Sequence, residues 1–189
     1  VRLAGNNYQE TKRFLDAGAG GVIAPFINSA EQAQELIRAV KYPPLGMRGV
    51  GFCRANAYGK ELRKSVATAN EDTFVCVQIE HIDAVKNIDS ILEVSGVDAA
   101  FIGPYDLSAS MSLTGQFEHP DVMAAIESIG DACRRHGIAS GIHVIHPTVE
   151  DVVARFQEGY RFIAYSLDIT MLMDICQNGL REIRKRIKE

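Results

Sequence analysis

Short apolar segments alternate with longer segments of helical periodicity along this chain. Six apolar segments are each followed by a stretch with helical spacing of its apolar residues, and they read VRLA, GVIAPF, FVCVQIE, AAFIGP, ASGIHVI and RFIAYS. They are apolar along their length rather than at every second residue, which is typical of strands covered on both faces. Regular alternation of such strands with helices predicts a parallel sheet, either doubly wound or closed into a (β/α)8 barrel.

The position of a glycine-rich segment favours the barrel. Gly18–Gly21 follows a helical segment and precedes a strand, whereas a dinucleotide-binding fingerprint must follow a strand and open a helix. Six units are two fewer than a barrel requires, and the sequence opens on VRLAG, which reads as the middle of a strand. We therefore expect an α/β protein with a (β/α)8 TIM-type barrel that lacks its first two βα units. Residues 1–189 are expected to form this single, partial domain.

Capping and breaking residues place the helices between the strands. Ser29 and Gln32 form a capping-box pattern at the start of one helix. The spacing of apolar residues, with flanking Pro and Gly, predicts helices at 8–18, 29–41, 83–95, 120–136 and 148–158 and at the end of the chain. The segment Tyr42–Asn70 is rich in Gly and Pro, and we predict an extended loop of the kind that overhangs an active site.

Charge and cysteine content exclude some classes of partner. A net charge of −4 provides no electrostatic attraction to nucleic acid or to an anionic membrane. No apolar run approaches the roughly 18 residues that span a bilayer, and the first residues do not read as a secretory signal. The cysteines are scattered without a C-x-x-C pair, which is typical of free thiols in a reducing compartment. We expect a cytoplasmic protein that binds neither nucleic acid nor membranes.

Two carboxylates end consecutive predicted strands. Glu80 follows one strand, and Asp106 follows the next just after Gly103 and Pro104, where the strand must end or bend. Since neighbouring parallel strands lie about 4.8 Å apart, the two side chains can converge. Paired carboxylates in a poorly solvated place repel each other unless a proton or cation lies between them, and oxygen ligands suit Mg²⁺ or Mn²⁺. Each carboxylate could instead cap the helix after its strand, and the spacing alone leaves both interpretations open.

Arg2 and Gln78 favour the metal interpretation. The guanidinium of Arg2 is planar and permanently charged, which suits a carboxylate or an enolate oxygen. Gln78 lies two residues before Glu80, so the two side chains point to the same side of their strand. A divalent ion, an arginine and a neutral amide together indicate a site for a 2-oxo acid, whose enolate a Lewis acid stabilises.

At these residues the sequence resembles the HpcH/HpaI aldolase and citrate lyase family, the class II pyruvate-dependent aldolases. The resemblance covers essentially the whole chain and depends on five blocks in order. They read VRLAGNN, FLDAGAGGVIAPFINSAEQA, KYPPLGMRGVG, VQIEHIDAVKNID and GVDAAFIGPYDLS. The last two blocks and their separation are the specific part.

The resemblance implies a lyase that reversibly cleaves 4-hydroxy-2-oxo acids to pyruvate, or a related 2-oxo acid, and an aldehyde through a metal-stabilised enolate. It also implies a divalent cation (Mg²⁺, Mn²⁺ or Co²⁺) and a homo-oligomer, by family a hexamer. Related carbon–carbon chemistry on the same scaffold is an alternative: oxaloacetate decarboxylation, or citrate formation or citryl cleavage. An inactive truncated assembly or binding module is the alternative of a different class.

Residue roles follow from the same resemblance. Glu80 and Asp106 would bind the metal, and Arg2 would bind the oxo acid and stabilise the enolate. Gln78 would line the pocket, and the backbone after Gly103 and Pro104, with the amides of Tyr105 and Asp106, would hold the pyruvate carboxylate. Asp16 matches the acid that pairs with a histidine to handle a proton.

There are two departures from the family pattern. The histidine partner of Asp16 belongs to an earlier strand than this sequence contains. Tyr105 stands where many relatives carry a small residue, so we expect a narrower pocket or an altered preference for the aldehyde.

Overall fold

The computed structural model describes residues 1–188, which fall into two compact units divided after Ser140. The first unit contains three parallel strands, and the second begins at Gly141 within a further strand. Each unit repeats the alternation of strand and helix expected from the sequence. The predicted α/β class is therefore confirmed, while the single domain remains a prediction.

The first unit is built on strands β1 (Gly21–Ala24), β2 (Phe74–Ile79) and β3 (Ala99–Ile102). The register pairs Gly21 with Phe74 and Cys76 with Ala99, so the carboxyl ends of the strands lie at the same edge. All four residues of β3 are buried, as expected for a strand covered on both faces. The largest fully buried side chains of this unit's core include Leu3, Leu15, Ile27, Ile79, Ile91, Ile102, Leu107 and Ile129.

Helices follow the strands of the first unit, and several agree with the sequence signals. The helices are α1 (Tyr8–Asp16), α2 (Ala30–Val40), α3 (Leu62–Asp72), α4 (Ile82–Lys86), α5 (Ile88–Leu92), α6 (Pro104–Ser110) and α7 (Pro120–His136). At α2 the Ser29 hydroxyl accepts a hydrogen bond from the Gln32 backbone N–H, and the Gln32 side chain accepts one from the N–H of Asn28. Gly137 ends α7 with a φ of 67°, which glycine adopts at low cost.

Four elements differ from the prediction. VRLA forms a single parallel bridge between Arg2 and Ile23, because the chain turns away after Leu3. The helix expected at 83–95 is broken at Asn87, whose side-chain amide donates to the carbonyl of Asn28 at 2.9 Å. The segment expected as a loop at 42–70 contains a 3₁₀ helix at Arg54–Gly59 and most of α3. A helix not expected from the sequence, α6, starts directly after β3.

The second unit continues the pattern with β4 (Ala139–Val144, from Gly141 on), α8 (Val149–Gln157), β5 (Phe162–Tyr165) and α9 (Asp168–Lys188). Strands β4 and β5 pair in parallel, with Gly141 opposite Phe162. Thr148 caps α8 in a reciprocal capping box with Asp151, which confirms the predicted start of this helix. Within residues 1–188, the helices are all too short or too polar to cross a bilayer.

Gly21→Ala is expected to destabilise the first unit by about 1–3 kcal/mol, since overpacking against backbone forces the strands to shift. An added Cβ at Gly21 would lie 2.4 Å from the carbonyl oxygen of Phe74. Urea denaturation followed by circular dichroism measures the effect. Gly20→Ala is the matched control, because a Cβ there meets nothing within 4 Å. Equal stability of the two variants would contradict the described register.

Candidate active site

The carboxyl ends of β1, β2 and β3 meet around the side chain of Glu80. Glu80 follows β2 directly and is only 2% exposed. Its carboxylate accepts a hydrogen bond from the backbone N–H of Phe26, after β1, at 2.9 Å. It accepts a second from the side-chain amide of Gln78 at 2.7 Å. The strand register therefore holds a buried acid between groups from two neighbouring strands.

The backbone at Phe26 is strained in a way that aims its N–H at this acid. Phe26 has a φ of 50°, in the left-handed region that non-glycine residues rarely adopt. Such a conformation costs about 1–3 kcal/mol and is found most often at functional sites. The amide of Asn6 donates to the carbonyl of Pro25 and so holds the preceding peptide in place. The sequence placed Phe26 at a strand end but carried no signal for its conformation.

Gly103 lets β3 approach the acid closely. A Cβ at this position would lie 2.8 Å from both Cβ and Oε2 of Glu80, and 3.2 Å from Nε2 of Gln78. Distances this short do not occur in folded proteins without displacement of the neighbour. Glycine is therefore required here by the space that Glu80 and Gln78 fill.

Asp106 lies in the first turn of α6, two residues after Pro104 at the first helical position. Burial is the main cause that raises the pKa of Glu80 above its ordinary value, and the negative charge of Asp106 raises it further. The hydrogen bond from Phe26 and the positive charge of Arg2 oppose this rise. The structure thus brings Glu80, Asp106 and Arg2 into one electrostatic environment.

Arg2 reaches this environment from the segment that pairs with β1. Its backbone bridges Ile23, and its Nη1 donates to the carbonyl of Leu3 at 2.9 Å. A guanidinium carries five N–H donors, so this single bond leaves capacity for a ligand. Gln78 offers a hydrogen-bond acceptor, because its buried Oε1 accepts no hydrogen bond from the part of the chain that is described.

These residues fit a hard divalent cation. Two carboxylates in mutual repulsion, one of them buried, are the arrangement that a cation relieves, and their oxygens are ligands that Mg²⁺ and Mn²⁺ prefer. Residues 1–188 contain no cluster of three or more His, Cys, Asp or Glu side chains that could hold a metal. Magnesium commonly binds through one or two carboxylates and completes its coordination with water and substrate.

Asp16 lies apart from this group in the described contacts. It ends α1 ahead of β1, whereas Glu80 and Asp106 follow the carboxyl ends of their strands. Its carboxylate pairs with Arg48 at 2.9 Å and with Lys12. Burial would raise the pKa of Asp16, but the hydrogen bonds and charges of Lys12 and Arg48 outweigh it and lower that pKa. Its role in proton handling remains a prediction from the resemblance.

Tyr105 occupies the second position of α6, directly before Asp106. Its ring is 53% exposed and packs edge-on against Phe117, with ring centroids 4.7 Å apart and an interplanar angle of 90°. The first-turn N–H groups of a helix have no partner within the helix, so the amides of Tyr105 and Asp106 suit an anion. This is the position at which the resemblance places the substrate carboxylate.

Glu80→Gln is expected to raise the free energy of unfolding of the metal-free protein at pH 7, because a neutral amide avoids the cost of a buried charge. The raised pKa of Glu80 means that its ionisation opposes folding. That cost develops as the pH rises from the ordinary pKa of a glutamic acid to the raised pKa of Glu80, and it is absent at lower pH, where the acid is protonated in both states.

Urea denaturation at pH 7 and at low pH measures this difference. Glu71→Gln on the exposed face of α3 is the matched control and should have little effect at either pH. A stabilisation by Glu80→Gln that persists undiminished at low pH would contradict the assigned cause.

Comparison with known proteins identifies the family. The HpcH/HpaI aldolase/citrate lyase family matches residues 1–174. The chain is 42% identical over 167 residues to the hydroxypyruvate/pyruvate aldolase of Roseobacter denitrificans, covering 86% of this chain and 63% of that protein. It is 40% identical over 175 residues to the 4-hydroxy-2-oxo-heptane-1,7-dioate aldolase of Escherichia coli, covering 91% of this chain and 65% of that protein. The chain thus spans a little less than two thirds of these relatives.

Solved structures agree with this assignment. An HpcH/HpaI aldolase/citrate lyase family protein from Burkholderia cenocepacia superposes with a TM-score of 0.90 at 34% identity, covering 97% of this chain and 72% of the other. The HpcH/HpaI aldolase from Desulfitobacterium hafniense gives 0.87 at 34% identity, covering 97% and 71%. These likenesses confirm the predicted TIM-barrel type of fold. The chain belongs to the HpcH/HpaI aldolase/citrate lyase family.

Proposed function

We propose that this protein is a divalent-metal-dependent aldolase that reversibly cleaves 4-hydroxy-2-oxo acids to pyruvate, or a related 2-oxo acid, and an aldehyde. The observation that carries the proposal is the buried carboxylate of Glu80 beside Asp106 and Arg2, at the converging ends of parallel strands. The names of the two curated relatives, a hydroxypyruvate/pyruvate aldolase and a 4-hydroxy-2-oxo-heptane-1,7-dioate aldolase, support the substrate class.

Glu80 and Asp106 would hold the cation, which we propose to be Mg²⁺, Mn²⁺ or Co²⁺. When bound, such an ion polarises the carbonyl of the 2-oxo acid and favours its enolate. The residues around the pair hold the Glu80 carboxylate in place. Phe26 and Gln78 orient the Glu80 carboxylate with two hydrogen bonds, and Gly103 leaves room for it.

The remaining residues would bind the substrate. The amides of Tyr105 and Asp106 would hold its carboxylate at the start of α6, after Gly103 and Pro104. Arg2 would donate hydrogen bonds to the oxygen on which negative charge develops, because its guanidinium is permanently charged and already lies close to Glu80. The buried Oε1 of Gln78 would accept a hydrogen bond from a substrate hydroxyl.

The proposed reaction balances without a redox cofactor. In cleavage the C4 hydroxyl loses a proton, the C3–C4 bond breaks, and its electron pair moves to the C2 carbonyl to give the enolate and an aldehyde. Protonation at C3 then gives pyruvate. Asp16 would contribute to proton transfer by orienting a histidine, since Lys12 and Arg48 keep this carboxylate charged.

We also propose a homo-oligomer in the cytoplasm. Cys53, Cys76, Cys133 and Cys176 are all free thiols, which supports a reducing compartment. Size-exclusion chromatography with light scattering tests the oligomeric state, and a hexamer is the expected result.

Pyruvate release from 4-hydroxy-2-oxo acids tests the proposed activity. We expect turnover that EDTA abolishes and that Mg²⁺, Mn²⁺ or Co²⁺ restores, and we expect Glu80→Ala to reduce it by at least about 10²-fold, because one of two metal ligands is lost. A coupled lactate dehydrogenase assay measures pyruvate. Glu71→Ala on α3 is the control variant and should retain full turnover.

The products separate this reaction from its alternatives. Release of CO₂ from oxaloacetate without aldol cleavage would indicate a decarboxylase, and an acyl-CoA-linked product would indicate citrate chemistry. Turnover that is indifferent to EDTA or to Glu80→Ala would overturn the metal-dependent mechanism. An absence of turnover with a broad panel of 2-oxo acids and aldehydes would favour the non-catalytic module.

Gly103→Ala is expected to weaken Mn²⁺ binding by about 10–100-fold, the usual effect of disturbing groups that orient a ligand. The added methyl would meet Glu80 at 2.8 Å and force its carboxylate to move. Isothermal titration calorimetry with Mn²⁺ measures this change without requiring turnover. Gly130→Ala in α7 is the control, because its Cβ would make an ordinary contact at 3.6 Å with Arg134. Equal Mn²⁺ affinity in both variants would refute the assigned role of Gly103.

A further inference from the structure

Two half-exposed aromatic side chains adjoin the buried carboxylate pair. Phe26 is 50% exposed, and its own backbone N–H binds Glu80. Tyr105 is 53% exposed and directly precedes Asp106. A half-exposed aromatic residue next to a candidate substrate site offers apolar surface that a ligand can bury.

Phe26 is held in its exposed position by the backbone on both sides. Phe26 has a φ of 50°. Asn6 donates a hydrogen bond to the carbonyl of Pro25 on one side of it, and Ile27 on the other side is fully buried. The carbonyl of Asn28 is bound in turn by the amide of Asn87 at 2.9 Å. The backbone of Phe26 is therefore held beside Glu80 from both sides, and the residue stays half-exposed.

The ring of Tyr105 is supported by a contact with Phe117. Phe117 packs against it edge to face, an arrangement that adds about 0.5–1.5 kcal/mol beyond area burial. The segment that carries Phe117 is tied back to α6 through Ser108. The Ser108 hydroxyl donates to the carbonyl of Tyr105 at 2.9 Å and accepts from the N–H of Gly115 at 3.0 Å. One face of the ring is thus supported while more than half of its surface stays open to a ligand.

We propose that Phe26 and Tyr105 form an aromatic rim that contacts the acceptor aldehyde and selects aldehydes with an uncharged, apolar substituent. This inference rests on the proposed function. If the 2-oxo acid is held between Glu80, Asp106 and the start of α6, the group added at C3 must extend past residues that adjoin this pair. An apolar substituent would bury part of both rings, whereas a carboxylate would lose hydration against them.

The proposed selection depends on contact with the aromatic rings, and the ring of Tyr105 is the part that Phe117 supports. We therefore expect Tyr105→Ala, which removes the ring, to change aldehyde preference, and Tyr105→Phe, which removes only the hydroxyl, to leave it unchanged. Phe26→Gly removes the other ring, keeps the N–H that binds Glu80 and adopts the observed φ without strain.

The experiment compares two aldehydes of equal carbon count, butanal and 4-oxobutanoate, in metal-dependent addition to pyruvate. The measured quantity is the ratio of their kcat/KM values, in which the contribution of the shared pyruvate site cancels. We expect the wild-type protein to favour butanal by at least about tenfold. Tyr105→Ala and Phe26→Gly should each reduce this ratio by about tenfold, and Tyr105→Phe should preserve it.

Phe14→Ala is the control, because this ring lies on α1 ahead of β1, whereas Phe26 and Tyr105 follow the carboxyl ends of their strands. It should leave the ratio unchanged. A wild-type preference for 4-oxobutanoate, or an equal loss of both activities in Tyr105→Ala and Phe26→Gly, would overturn the rim while leaving the aldolase intact. Glycolaldehyde, which lacks a side chain to contact the rim, tests the aldolase itself. An absence of metal-dependent pyruvate consumption with glycolaldehyde would overturn both proposals.

Discussion

Burial of the Glu80 carboxylate beside a second acid is the constraint on which the rest of the site depends. A charged group removed from water destabilises the fold unless hydrogen bonds or opposite charge compensate it. The protein supplies partial compensation through the N–H of Phe26, the amide of Gln78 and the nearby charge of Arg2. The pKa of Glu80 nevertheless remains raised, which shows that compensation from the chain itself is incomplete. Burial is the main cause of this rise and the charge of Asp106 adds to it, and a bound cation would oppose both.

Several local features adjoin this buried carboxylate. Phe26 keeps a strained backbone because that conformation directs a hydrogen bond at Glu80. Gly103 occupies the end of β3 because a side chain there would collide with the same carboxylate. Pro104 then begins α6 at once, which brings Asp106 into the first turn, next to Glu80. The strained backbone of Phe26, the lack of space at Gly103 and the helix that begins at Pro104 thus all lie around one buried carboxylate.

Features with local signals were predictable from the sequence. The capping residues of α2 and the bounds of α7 depend on residues within a few positions of each other, and the structure confirms them. The expectation that Glu80 and Asp106 follow neighbouring strands needed only the alternation of strands and helices. The conformation of Phe26 was not predictable, because its hydrogen bond joins residues 54 positions apart. The break at Asn87 depends on a contact across 59 positions, which a local helical pattern does not encode.

The ion pairs of Asp16 bear on the role in proton handling that the resemblance assigns to it. The resemblance assigns it to proton handling, while the described contacts pair it with Arg48 and Lys12 away from Glu80. A carboxylate whose pKa is lowered by two cations is a weak base, so it is poorly suited to accept the proton itself. It is well suited to stay charged and to orient or stabilise a protonated histidine. The ion pairs are therefore compatible with an assisting role and argue against a direct one.

The proposed rim and the carboxylate site share backbone but not side chains. The N–H of Phe26 binds Glu80 whatever ring it carries, and the amides at the start of α6 are present whatever side chain occupies position 105. Substitution at these two positions can therefore alter the surface presented to the aldehyde without removing a group that holds the acids. The strained φ of Phe26 narrows this freedom, since residues that tolerate the left-handed region are few. Position 105 lies in an ordinary helical turn and has no such restriction. Within the proposed rim, Tyr105 is therefore the residue whose side chain can be changed with the least backbone strain.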